Sequence, residues 1–398
     1  MCRNILAEHG LCDNCLGRQL AQLSTGMTNA ERGRIIRDVL GGTSSTVTKK
    51  KPSTGKANSK SVGSTPYSSP KSQECFICGG FFSGIQRWVD EAADRLKPYE
   101  YSTFAVGTKP GREITRREEE VWESAGIEHC EPFRAESNRE LGKALCSVIK
   151  KEVDEENPDV LVMLNLGEGM IELVVRSVYV FGGYKKLIRG IQQTKWDKYP
   201  VSVEDVIAAP FMKPMKAEGH SLHAAGREDI DARCLDFRPF VLEIEKPVKR
   251  TVNLNDMRLA INKTKKVEVS ALKPANRQDV LRVKDMSPDK EYRLLVEFES
   301  TPSEAKLKKL GSLVGPIEQH TPTRVMHRRA DLLRHKNVLS LKWKKVSGKK
   351  YEIQIRGDAG LYAKEFVHGD EGRTKPSVAE LLGVKAKVLE LDVMKIYL

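Results

Sequence analysis

Gly226-Arg227-Glu228-Asp229-Ile230-Asp231-Ala232-Arg233 is followed a few residues later by Pro239-Phe240-Val241-Leu242-Glu243-Ile244. The second run is apolar, β-rich and alternating, so it reads as a half-buried strand. The first is then a polar loop leading into a sheet, where a scaffold can hold reactive side chains rigidly. Five of its eight residues are charged. Within Arg-Glu-Asp, one carboxylate can pair locally while another faces a pocket. Neighbours along an extended segment point to opposite sides, so Glu228 should face away from whatever Asp229 faces. Asp231 shares the side of Asp229 only if the loop stays extended, and it has Arg233 as a near partner. Taken alone, these residues read better as a solvated, salt-bridged loop; the rest of the chain has to decide.

The chain has 398 residues, enough for two or three domains, and 39% are hydrophobic, enough for packed cores. No apolar run approaches the ~20 residues of a membrane span. Met1-Cys2-Arg3-Asn4 lacks a signal peptide's apolar core, so a soluble, cytoplasmic protein without a membrane partner is expected. The formal net charge is +13 and the pI about 9.2. Such a balance points to a polyanion as partner, because Lys and Arg that neutralise phosphates release counterions. Of eight cysteines, four form two Cys-x-x-Cys pairs, Cys12/Cys15 and Cys75/Cys78. In a reducing compartment that pattern favours metal over disulfides, and structural zinc takes four thiolates in a tetrahedron. Residues 42–72 explain the long gap between the pairs. They are Ser, Thr, Gly, Pro and Lys, with six lysines and no acid, a composition that buries no core and should be disordered. Without them the spacing is that of a zinc ribbon. Cys2, Cys130, Cys146 and Cys234 read as core or surface thiols.

Residues 81–200 read as α/β. Ile85, Trp88, Val89, Ala92 and Leu96 recur at helical spacing, as do Leu141, Leu145, Val148 and Ile149 after a polar start at Ser137-Asn138. Residues 101–106, 159–164 and 171–180 are β-rich. Residues 181–196 interleave glycines, aromatics and basic side chains, including Lys185 and Arg189, a surface able to hold phosphate against stacked rings. A merely solvated basic loop fits those residues equally well. Asn165-Leu166-Gly167-Glu168-Gly169 lacks the spacing of a dinucleotide fingerprint. Residues 200–225 read as a connector. His220 and His223, without acids or thiols nearby in sequence, are poor metal ligands there.

Beyond residue 226 strands dominate: 240–244, 292–298, 351–355 and 388–393, with short helices opening at Ser303 and running from Ser377 to Gly383. A large mixed or antiparallel sheet follows. Residues 320–350 hold ten Lys or Arg against one acid, Asp331. Solvated faces mix signs, so this is read as an RNA-backbone surface. Tyr362-Ala363-Lys364-Glu365-Phe366-Val367-His368-Gly369-Asp370 follows the 351–355 strand and is placed on another strand of the same sheet.

The Gly-Arg-Glu-Asp-x-Asp-x-Arg loop with Arg238-Pro239-Phe240, the Cys-x-x-Cys-Leu-Gly-Arg start, the Thr-Pro-x-Arg-Val-x-His-Arg-Arg block and the Tyr-x-Lys-Glu-Phe-Val-His-Gly-Asp string together resemble one family. It is the archaeal-type tRNA pseudouridine synthases with a zinc module and a THUMP domain, which act on the T-loop. The family often has Ile where Ala363 stands.

The resemblance implies an α/β (α+β) protein in three parts. These are a four-cysteine zinc module over 1–80, a THUMP-containing RNA-binding domain over 81–200, and a pseudouridine synthase domain with a long mixed or antiparallel sheet over 201–398. It implies isomerisation of uridines 54 and 55 of tRNA, with Asp229 as nucleophile, Lys364 as its partnering cation and Tyr292 stacking on the target base. Further substrate contacts are expected from Tyr362, Arg227, Arg324, Arg328, Arg329, Lys185 and Arg189. Structural zinc on Cys12, Cys15, Cys75 and Cys78, no organic cofactor, the tRNA T-arm as partner and a monomer complete the expectation. The alternative is a non-catalytic zinc and THUMP protein that only binds tRNA.

Overall fold

Two runs of alternating side chains account for most of the architecture, one in each half of the chain. The computed structural model describes residues 8–41, 74–195 and 199–398. The insert at 42–72, the N-terminal tetrapeptide with Cys2, and Trp196 lie outside the described residues. The chain divides into two units, Met1–Arg176 and Ser177–Leu398.

In the first unit the strands are β1 (Thr103–Lys109), β2 (Glu152–Val153), β3 (Val160–Asn165) and β4 (Met170–Val175). They pair in the order β2-β1-β3-β4. Val160, Val162 and Leu164 alternate into the core on one face of β3. The helix Phe133–Ile149 brings Phe133, Leu141 and Leu145 onto that core, and Ile85–Leu96 brings Trp88, Val89, Ala92 and Leu96, the spacing of one helical stripe. The first of these helices starts at Phe133, four residues before the polar pair that marked it in sequence, and leaves Val148 exposed. At the N-terminus the short helices Asp13–Gly17 and Asn29–Gly41 touch backbone to backbone. A Cβ on Gly17 would run into the Asn29 carbonyl, and one on Gly33 into that of Asp13.

The second unit is built on an eleven-stranded sheet. Its strands are β5 (Val178–Lys186), β6 (Gly219–Ala224), β7 (Arg233–Glu245), β8 (Val267–Val269), β9 (Lys273–Ala275), β10 (Asp289–Phe298), β11 (Gly315–Gln319), β12 (Arg334–Ser347), β13 (Lys350–Gly357), β14 (Thr374–Lys375) and β15 (Ala386–Tyr397). The order is β14-β11-β12-β13-β10-β15-β7-β5-β8, with β6 on β7 and β9 on β5. β10 alternates strictly. Lys290, Tyr292, Leu294, Val296 and Phe298 turn to the buried face, and the apolar members join Ile353, Ile355 and Phe366 in one core.

Four readings of the sequence change here. The β-rich run 171–180 is two strands broken between the units, and β5 pairs with β7, so residues 177–195 are built into the second unit rather than the first. The connector at 200–225 is the helix Val203–Met215 followed by β6. Ser202 and Asp205 form a capping box at its start, and Pro210 and Pro214 inside it hid the helical pattern. His220 and His223 sit on β6 and do have acidic partners, Glu204 and Glu243, each at 3.0 Å from distant parts of the chain. β7 begins at Arg233 and is buried on both faces over residues 238–242, because Phe240 and Leu242 pack with Val203, Ile207 and Phe211 on one face and Val241 packs with Val280 and Val283 on the other.

The two halves of this sheet meet at one place. β15 pairs with β7 in parallel through only Asp392↔Arg233 and Val393↔Cys234. Asp392, fully buried, accepts from Arg233 Nε at 2.9 Å and Nη2 at 2.8 Å and from Arg293, and forms an ion pair with Arg189 at 2.7 Å. Arg233 thus serves Asp392, not Asp231. Burial pushes the Asp392 carboxyl up, but Arg233, Arg293 and Arg189 outweigh it and hold it below its ordinary value.

Asp392→Asn should therefore lower the unfolding free energy by about 3 kcal/mol, near the low end for a broken buried pair because the arginines keep a third of their surface in water. Urea titration reads this directly. A carboxyl with a depressed folded pKa contributes in full above its unfolded value near about 4 and loses that contribution as pH falls through the lower folded value. The gap between the wild type and the variant should thus be constant at neutral pH and close in acid.

Candidate active site

The polar loop ahead of β7 is held from below by three cationic side chains. Lys186, fully buried, donates to the carbonyls of Ile191 at 2.7 Å, Asp229 at 3.0 Å and Ile230 at 3.1 Å. Arg189 donates to the carbonyls of Asp231 at 2.9 Å and Leu391 at 2.6 Å, tying the loop to β15. Arg238, also fully buried, donates to the Ala225 carbonyl at 2.8 Å and pairs with Glu228 at 3.0 Å. The Tyr184 hydroxyl donates to the same Glu228 carboxylate at 3.1 Å. Gly226 opens the loop at φ +77°, where a side chain would be strained and would press on Arg238.

Glu228 points inward and Asp229 outward, as expected for neighbours on an extended segment. Asp229 Oδ1 accepts from Arg324 Nη1 at 3.0 Å, and Oδ2 lies 3.2 Å from Lys364 Nζ. Lys364 also reaches both oxygens of Asp231 at 2.8 Å. Arg324 Nε donates at 2.7 Å to Glu365, whose side chain is buried. Three carboxylates and two cations thus share one cluster. Burial would raise the Asp229 carboxyl, but Arg324 and then Lys364 outweigh it and hold it below its ordinary value. At neutral pH it is a carboxylate.

Asp229 stands on the wall of two adjoining cavities of about 380 and 730 Å³. The smaller also exposes Tyr292, Lys290, Tyr362, Arg329 and, from β15, Leu391 and Val393. Tyr292 is 7% exposed, and burial pushes its phenol up to about 12, so it meets a ligand as a neutral ring.

Of the residues singled out in sequence, Asp229, Lys364, Tyr292, Tyr362, Arg227, Arg324 and Arg329 come together here. Arg329 donates to the Tyr362 hydroxyl at 3.4 Å, and Arg227 is exposed at the rim. Lys364 is not on a strand. It lies in the first turn of the helix Ala363–His368, which aims Lys364 and Glu365 at different partners. Lys185 and Arg189 stand apart. Lys185 pairs with Glu268 at 3.3 Å and lies over the Phe237 ring, and Arg189 is committed to backbone carbonyls and Asp392. The side chain of Arg328 lies outside the described residues. In the basic stretch 320–350, Arg334 and Lys336 are engaged with Thr321 and the Ala359 carbonyl, while Lys342 and Lys345 stand on β12.

Sequence reasoning missed Lys186, Arg238 and the bridging role of Arg324. Lys186 is hidden beside Lys185 in a basic stretch, and Arg238 stands out only as part of a motif. Their partners lie too far along the chain to be read from spacing.

In the first unit, the thiols of Cys12, Cys15, Cys75 and Cys78 lie within 4.8 Å of one another. Cys12 Sγ and Cys78 Sγ are 3.7 Å apart, close to the ~3.8 Å edge of a tetrahedron with metal–sulfur bonds of about 2.3 Å. The Cys12 N–H donates to Cys75 Sγ at 3.2 Å and that of Cys15 to Cys12 Sγ at 3.5 Å, as suits thiolates. This group can bind a metal ion.

Family models agree with both units. The model of the Pus10 C-terminal domain matches residues 179–397, and that of the archaeal Pus10 THUMP domain matches 88–165. A tRNA pseudouridine synthase Pus10 of Methanothrix thermoacetophila is 38% identical over 98% of this chain and 93% of its own length. One of Pyrococcus furiosus is 36% identical over 99% and 96%. A solved Cbf5–Nop10–Gar1 complex aligns with 54% of this chain and 48% of its own at 18% identity and a TM-score of 0.33, too slight a likeness to carry weight.

Arg238→Met would leave the Glu228 carboxylate buried without its cation and should cost about 3–5 kcal/mol of stability. Adding Glu228→Gln should recover part of that loss. Urea unfolding of the two variants reads both effects.

Proposed function

The chain belongs to the Pus10 family of tRNA pseudouridine synthases and isomerises uridine in tRNA, and from that premise we propose that its targets are the adjacent T-loop uridines 54 and 55, with Asp229 as the nucleophile. The observation that carries the assignment is a carboxylate kept ionised by two cations at the wall of a cavity that also presents a tyrosine ring. Neither a redox partner nor a group donor enters this reaction. The N1–C1′ bond breaks, the uracil turns, C5 joins C1′, and a proton is lost from C5 while N1 gains one. Asp229 attacks the sugar or the ring, or removes a proton at C2′, and each route needs the carboxylate form.

Tyr292 would lie against the uracil. Arg324 and Lys364 hold Asp229 in place and in charge. The target lies in a folded arm of tRNA, so the base must flip out, at a cost of a few kcal/mol of unstacking. Contacts from the exposed cations of the 320–350 segment to phosphates offset that cost. Lys185 and Arg328 remain candidates for phosphate contact, and Arg189 supports the loop. In the first unit we assign zinc to the four cysteines, in a structural role, with the THUMP region following it. A monomer in the cytoplasm fits a tRNA substrate; among the described residues no helix is long and apolar enough to cross a membrane.

Asp229→Asn keeps the shape and removes the charge. Pseudouridine formation on an unmodified tRNA transcript should vanish under single-turnover conditions, with tRNA affinity kept within a few-fold. Lys364→Met should slow the step strongly, and the double variant should be no worse than Asp229→Asn, as for residues acting as one unit. Product from Asp229→Asn at the normal rate, or loss only with Asp231→Asn, would move the role elsewhere in the cluster.

Metal analysis should find about one zinc per chain, and chelation or Cys75→Ser should melt the first unit before the second, since binding to such a site is folding free energy. A folded first unit free of metal would refute the zinc assignment.

A further inference from the structure

Among the cations that line the smaller cavity, Lys290 is buried and is paired with no carboxylate among the described residues. Lys290 stands two residues before Tyr292 on β10, and both belong to the buried face of that strand, so their side chains leave the sheet on the same side, about 7 Å apart. Lys290 is 7% exposed and lines the cavity that holds Asp229 and Tyr292. Its Nζ donates to the Pro288 carbonyl at 3.0 Å. The charged or titratable groups around it are Arg238, Cys234, Asp289 and Lys336. Arg238 is already committed to Glu228, and Asp289 to Arg356 at 3.2 Å. An ammonium has three donors, so two remain for whatever fills the cavity. A buried, unpaired ammonium costs stability, and burial, with Arg238 adding to it, pushes the group down to about 8. At neutral pH it is still largely charged.

A base lying on the Tyr292 ring brings its edge to this ammonium. Once N1–C1′ breaks with its electron pair going to the uracil, the base is an anion whose charge spreads over N1 and the two carbonyl oxygens. We propose that Lys290 donates a hydrogen bond to a carbonyl oxygen of the uracil and stabilises the charge on the detached base. Lys290 keeps its own proton throughout; the C5 proton leaves to solvent and N1 is protonated from solvent after C5–C1′ has formed. The inference rests on the reading that the Asp229 site isomerises uridine. It gives the second charge in the reaction a partner of its own, distinct from the cations committed to Asp229.

The test compares two substrates. Wild type, Lys290→Met and Lys290→Arg are each assayed in single turnover on a tRNA transcript carrying uridine or 5-fluorouridine, whose fluorine stabilises the detached anion by itself. Because C5 then has no proton to lose, both substrates are followed by the disappearance of the N1-linked nucleoside. Lys290→Met should lose about 10²-fold on uridine, the scale of removing one donor aimed at developing charge, with tRNA affinity within a few-fold. On 5-fluorouridine the loss should shrink several-fold, and Lys290→Arg should recover part of the rate. For wild type, kcat/KM should fall as pH rises through about 8, because the ammonium is the active form, and Lys290→Met should lose that limb. Should Lys290→Met fail to fold, Lys290→Gln takes its place in the same comparison. A rate on uridine within a few-fold of wild type would overturn the proposal. So would an equal loss on both substrates, the mark of a packing role. Absence of pseudouridine from the wild type would instead refute the underlying reading.

Discussion

A single carboxylate, Asp392, holds three guanidiniums at the point where the two halves of the eleven-stranded sheet touch. Two parallel residue pairs would make a weak seam without it. Leu391 and Val393, on either side of Asp392, turn the other way and form part of the cavity wall. Arg189 leaves the same cluster to hold the Asp231 and Leu391 carbonyls. The seam and the polar loop are thus one piece of construction. The chemistry sits at the seam because the loop enters β7 at Arg233, the residue that pairs with Asp392 of β15.

Around that seam, charges are sorted by depth. Glu228 is driven inward to Arg238 and Tyr184, which fixes the loop from the protein side. Asp229, one residue on, can then face only outward, toward Arg324 and Lys364. The inner pair carries rigidity and the outer group reactivity. The neighbouring alternation of an extended backbone is enough to separate the two roles.

Much of this was legible because it rests on short-range pattern. The alternation in β10 and β13, the β-rich run of β15, the paired cysteines, and the capping serines 303 and 377 are local signals, and each element formed where it was read. Asp229 and Lys364 were matched through motif resemblance and do meet. What stayed hidden depends on partners far along the chain. Arg189 reads as a phosphate contact until Asp392 is seen beside it, from the far end of the sequence. Lys364 reads as a strand residue because nothing local marks the turn of helix that follows Gly360. The helix Val203–Met215 was obscured by two prolines, a penalty that its buried face of Val203, Ile207, Phe211 and Met215 overrides.

Arg324 is divided between Asp229 and Glu365, and Lys364 between Asp229 and Asp231, so three stretches of chain share five charges in one linked cluster. No member can drift alone. A lineage that lost the positive charge at 324 would strand Glu365 and leave Asp229 to Lys364 alone, and the substitution would survive only beside a second change that restores the count. Inheritance should therefore treat positions 229, 231, 324, 364 and 365 as one unit of descent. Exposed lysines outside the cluster answer to no such count and are free to wander from one relative to the next.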